Sequence, residues 1–111
     1  MIKTLDHLIV AVSNLEEAEK NYTKIFGIKP VWKGEHKELG TSNVLFNFDN
    51  TYFELLSATS DGLGAALVNY YLDQDGEGLI GLVLGTENIE DTANYIREKG
   101  APKGNISFSN K

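Results

Sequence analysis

Two charged side chains interrupt apolar, strand-like runs in this sequence, and both could do chemistry. His7 stands in residues 5–12 (LDHLIVAV) and Glu54 in residues 52–57 (YFELLS). Burying a lone carboxylate is costly, so such a residue is usually exposed, paired or bound to a metal. Imidazole and carboxylate together suit zinc, iron, nickel or manganese. Two ligands do not make a site, and His36, in the segment GEHKELGTSN, is the candidate third. The plain alternatives stand beside this reading: a strand histidine held by hydrogen bonds in a core, a His36 exposed on a loop, and a Glu54 paired with a lysine. If Glu54 is catalytic, its role would be to move a proton.

Alternation along a strand sorts the neighbours. His7 shares a face with Leu5, Ile9 and Ala11, and Glu54 shares one with Tyr52 and Leu56. Asn43 shares one with Leu45 and Asn47, opposite Val44, Phe46 and Phe48. The aromatic face is expected to pack on a helix. The face with two asparagines is too polar for a closed core and suits a curved sheet lining a cavity. His36, Thr41, Asn43, Asn47 and Tyr52 are therefore the candidate substrate-binding residues. Tyr22, Trp32, Tyr52 and Phe53 could stack on a partly aromatic ligand, or simply pack the core.

The elements that must position these groups follow from periodicity. The strand at 5–12 runs into Ser13, Asn14 and Glu16, cap residues that predict a helix starting near Asn14. Leu15, Ala18, Tyr22, Ile25 and Phe26 recur at helical spacing, and Gly27 and Pro30 end the helix. Three strands are predicted next, over 30–38, 43–48 and 52–57, with turns at Gly40 and at Asp49-Asn50. This is a βαβββ unit over residues 1–58. Residues 59–78 read as a connector with a short helical pattern in Leu63, Leu67, Val68 and Tyr71.

From there the sequence repeats. Residues 81–100 lie on residues 7–26 without a gap at an offset of 74, matching Leu8 with Leu82, Asn14 with Asn88 and Glu16 with Glu90. The second unit, 79–111, is expected to hold a strand, a helix and one short strand at 105–109, and so to be truncated.

Composition narrows the function classes. With 111 residues the chain is expected to form one domain. Ten Lys+Arg against 16 Asp+Glu give a net charge of −6, which argues against nucleic acid and anionic membranes as partners. There is no cysteine, which excludes disulfides and thiolate chemistry and suits a reducing cytoplasm. The first apolar run is brief and broken by Asp6 and His7, so a signal peptide is not expected.

Taken together, LDHLIVAV, the βαβββ order, the repeat, and a His followed by GT, Asn and a YxEL strand (His36, Gly40, Thr41, Asn43, Tyr52 to Leu55) resemble the vicinal oxygen chelate superfamily, and within it glyoxalase-like domains. The resemblance implies an α+β fold of paired βαβββ modules, a cupped mixed sheet with helices on its outer face. It implies that His7 and Glu54 are the metal ligands of the first module, with His36 as a third. The second module's ligand position falls on Gly81, which has none to offer. The expected functions are a metal-assisted lyase, isomerase or dioxygenase-type reaction, or metal-free binding of a small molecule, as in bleomycin-resistance proteins. A divergent domain without activity is the remaining reading. An uncovered strand edge in the short second module predicts a homodimer.

Overall fold

The computed structural model describes residues 2–100, so the strand expected at 105–109 lies outside the described residues. The order is β1 (Ile2–Ala11), α1 (Leu15–Phe26), β2 (Trp32–His36), β3 (Thr41–Asn47), β4 (Tyr52–Ala58), α2 (Leu63–Asp75), β5 (Gly78–Thr86) and α3 (Ile89–Glu98). The strands form one sheet ordered β2-β3-β4-β1-β5. β1 runs parallel to β4 and every other neighbouring pair is antiparallel. The result is an α+β fold with a mixed, open sheet. No helix among the described residues is long and apolar enough to cross a membrane.

α1 begins where the cap residues predict. Asn14 is extended, and its Oδ1 accepts the backbone N–H of Glu17 at 3.0 Å, satisfying one of the free donors of the first turn. At the other end Gly27 takes a left-handed conformation, φ 71°, that suits glycine, and returns its N–H to Thr23. Between these caps the apolar face of α1 meets the aromatic side of the sheet. Val10, Val12, Ala18, Val44, Phe46 and Leu55 are the buried core, and Phe26 packs edge-on against Phe46, Phe48 and Phe53.

Several boundaries differ from the expected ones, and those around Gly40 bear on the site. β2 stops at His36 because the His36 carbonyl accepts the N–H groups of Leu39 and Gly40, which turns the chain at once. β3 therefore starts at Thr41 and brings Thr41 into the sheet. The stretch read as a connector is mostly a 13-residue helix, α2, whose Ala65 and Val68 are buried. Its apolar residues give no clean amphipathic stripe, which is why periodicity understated its length. α2 lies against the side of the sheet opposite α1.

The internal repeat is visible in the backbone. Asn88 caps α3 as Asn14 caps α1, with Oδ1 accepting the N–H of Asp91 at 3.0 Å. Leu8 pairs across the sheet with Leu82, its own counterpart in the repeat. On either side His7 faces Val83 and Ile9 faces Gly81, which are exchanged counterparts at the same offset. A local two-fold relation thus passes between β1 and β5. The outer edge of β5 has no strand partner among the described residues, and Leu79, Leu82 and Leu84 are exposed there.

Candidate functional site

Strand register explains how the chemistry-bearing residues meet. On β4, Glu54 lies beside Ile9 of β1 and Leu45 of β3. His7 and Asn43 are each one diagonal step away on the same face, within reach of a long side chain. His7 Nε2 is 2.9 Å from Glu54 Oε1, and Asn43 Nδ2 donates to Glu54 Oε2 at 3.0 Å. Both carboxylate oxygens are held. That is how a glutamate only 8% exposed is accommodated in an apolar strand. Of the alternatives left open, Glu54 is paired, with an imidazole and an amide rather than a lysine.

Asp6 extends the chain of contacts. Its Oδ2 is 2.7 Å from His7 Nδ1, so the order Asp6–His7–Glu54–Asn43 is continuous. Adjacent residues of a regular strand point to opposite faces, yet Asp6 and His7 both border the same cavity. A bulge makes this possible. Leu5 pairs with Leu84 and His7 with Val83, leaving Asp6 as an extra residue in β1. The hydroxyl of Thr51 donates to the Leu5 and Asp6 carbonyls at 3.1 and 2.8 Å and fixes the bulge from the side. Sequence reasoning missed Asp6 because period-two alternation assigns it to the wrong face. The available signal was a second charge beside His7 in an apolar run.

These groups form the polar end of a cavity of about 440 Å³. His36, Thr41 and Tyr52 also line it, so six of the seven expected site residues come together. The exception is Asn47. It shares the face of Asn43 and pairs with Tyr52, but it is exposed at the end of β3 and outside the cavity lining. Ile9, Leu45, Leu56 and Val83 give the sheet side of the cavity an apolar surface, and Gly64, Leu67 and Val68 of α2 close the other side. Trp32, Tyr22 and Phe53 do not line the cavity. The last two pack in the aromatic core, and the Trp32 indole lies over Gly34.

α2 can approach because two backbones touch. Gly40 has φ 73°, and a methyl built on it would stand 2.5 Å from the Ser60 carbonyl oxygen. The Gly40 carbonyl accepts the N–H groups of Thr59 and Ser60, and the Leu39 carbonyl accepts that of Ala65 in the first turn of α2. The β2–β3 turn is thereby tied to the helix that covers the cavity.

One buried polar atom is unanswered. Asn43 is 3% exposed, and its Oδ1 has no hydrogen-bond partner among the described residues. The same oxygen lies against Gly34, as does Trp32 Nε1.

As a metal centre the set is partial. His7 Nε2 and Glu54 Oε1 converge as two ligands would, and His36 borders the same cavity. However, no three of the described His, Asp and Glu side chains come close enough to share an ion. A protein-held zinc site takes three or four. The described residues therefore do not make a metal site by themselves.

Comparison with known proteins addresses the fold. The family model of the glyoxalase-like domain matches residues 5–110. No curated protein matches the chain. Among solved structures, a Streptomyces coelicolor methylmalonyl-CoA epimerase in complex with 2-nitronate-propionyl-CoA is similar with a TM-score of 0.76 and 22% identity. That match covers 90% of this chain and 72% of the other. The Mycobacterium tuberculosis epimerase matches with a TM-score of 0.74 and 20% identity, covering 89% and 65%. A hypothetical protein from Bacillus halodurans matches with a TM-score of 0.78 and 20% identity, covering 87% and 68%. At these identities the likeness is one of fold.

Proposed function

This chain belongs to the glyoxalase-like domain family, and from that premise we propose that its half-cup binds a small molecule between the sheet and α2. The observation that carries this reading is the hydrogen-bonded run from Asp6 at the rim through His7 to the buried Glu54 and Asn43, at one end of a largely apolar cavity. Apolar walls with a few converging polar groups are the usual make-up of a ligand pocket. A carboxylate set as deep as Glu54 is more readily explained by a ligand than by stability, since buried ion pairs add little to it. The acyl-CoA ligand of the similar epimerase does not transfer simply, because its phosphates would find no lysine or arginine among the described residues lining this cavity.

The test is a thermal-shift and NMR screen of small polar aromatics and aliphatics. Binders should raise the melting temperature and move amide signals of β1, β4 and α2 together. A screen in which no compound stabilises the protein would remove the reading.

A second reading is favoured by one geometric fact, the convergence of Nε2 and Oε1 at 2.9 Å. In it a divalent ion (Zn, Fe, Ni or Mn) binds His7 and Glu54, with His36 of the same cavity as the third ligand. Stoichiometric metal in purified protein, with a rise in melting temperature lost in His7→Ala, would support it. Metal-free protein indifferent to all four ions would dismiss it. We also assign a homodimer that covers β5, on the strength of the open edge and its exposed leucines.

A further inference from the structure

We propose that the cavity selects an apolar molecule with a protonated amine head and turns away carboxylates; this rests on the ligand-pocket reading above. The polar end of the cavity carries the side chains of Asp6 and Glu54 against the single imidazole of His7. Two carboxylates facing one imidazole leave the cluster negative whether or not the ring carries its second proton. His36 and Tyr52 are the other titratable lining groups, and no lysine or arginine joins them among the described residues.

The chain's clustered positive charge is elsewhere. Lys20, Lys24, Lys29 and Lys33 line a separate groove, and Lys33 pairs with Val44 on the α1 side of the sheet and bonds to Glu19. An anion entering the cavity would thus meet two carboxylates with no cation at hand. An ammonium group would meet acceptors. Glu54 already has both oxygens engaged, whereas Asp6 is half-exposed at the rim, its side chain 54% accessible, with oxygen lone pairs to spare. Asp6 is accordingly the group that would receive the amine. The apolar body would rest on Ile9, Leu56, Val83 and Leu67.

Three compounds that share one phenyl body vary the head group: benzylamine, benzyl alcohol and benzoate. Each is small enough for about 440 Å³. At this size, dissociation constants on the order of 1–10 mM are expected, measurable by titration of amide signals. Benzylamine should bind about fivefold more tightly than benzoate at low salt, the scale of one partly exposed ion contact, with benzyl alcohol between them. The gap should narrow as salt is raised. In Asp6→Asn, a rim change that spares the buried residues, the ratio of benzylamine to benzyl alcohol affinity should fall about twofold or more.

Equal or tighter binding of benzoate overturns the proposal and leaves the pocket reading intact, as does an Asp6→Asn protein with an unchanged ratio. Failure of all three compounds to bind overturns both.

Discussion

Glu54 depends on its neighbours more than they depend on it. Replacing His7 by Phe keeps the ring volume but strips one oxygen of a buried carboxylate of its partner. The expected loss is about 2 kcal/mol by chemical denaturation. Adding Glu54→Leu to that background should recover at least about 1 kcal/mol, because a buried apolar pair tolerates what a half-satisfied ion does not. Simple additivity in this cycle would mean that the two side chains do not sense each other. His7 and Glu54 were legible in the sequence as charges in apolar strands, and Asn43 as a polar residue on the wrong face for a core. Asp6 was not, since a bulge is a property of two paired strands and leaves no mark in the periodicity of either. Asn47 shows the converse failure: alternation gives the correct face but not how far along the strand the cavity reaches.

At the scale of elements, the β2–β3 turn and α2 form one unit. Gly40→Ala combines a positive φ with a methyl 2.5 Å from the Ser60 carbonyl oxygen, so it should cost roughly 2–3 kcal/mol. It should also loosen α2, seen as faster hydrogen exchange at Ala65 and Val68 than in the rest of the core. Uniform exchange across the protein would separate the turn from the helix. The two caps offer a contrast. Asn14→Ala should lower global stability by about 1 kcal/mol, because α1 packs on the core. Asn88→Ala should fray α3 alone, whose one buried residue is Thr92, hydrogen-bonded to Thr86 at 2.6 Å. A melting curve for Asn88→Ala displaced as far as that for Asn14→Ala would contradict this division. Strong amphipathic patterning made α1 and α3 readable from sequence, whereas α2, apolar on several sides because sheet and solvent share it unevenly, was readable only in part.

Over the whole molecule, the two-fold relation at Leu8 and Leu82 divides the structure unequally. The first copy has its core, while β5 and α3 present Leu79, Leu82, Leu84, Ile89 and Tyr95 exposed. Sedimentation at micromolar concentration should give a dimer, and Leu82→Glu should shift it toward monomer by placing a charge on that apolar surface. A wild-type monomer under those conditions would rule out this assembly. The repeat itself was visible as an offset of 74 residues, but nothing in one chain states what lies against a strand edge.

β1 also sets a timetable. It leaves the ribosome before the other described elements, yet its parallel neighbour begins at Tyr52 and its antiparallel neighbour at Gly78. Until both have emerged, an apolar strand waits with its hydrogen-bonding groups bare, while α1 and the β2–β4 meander can form from local contacts. The segment that carries Asp6 and His7 therefore gains its full set of strand partners only after Gly78 and the rest of β5 have emerged.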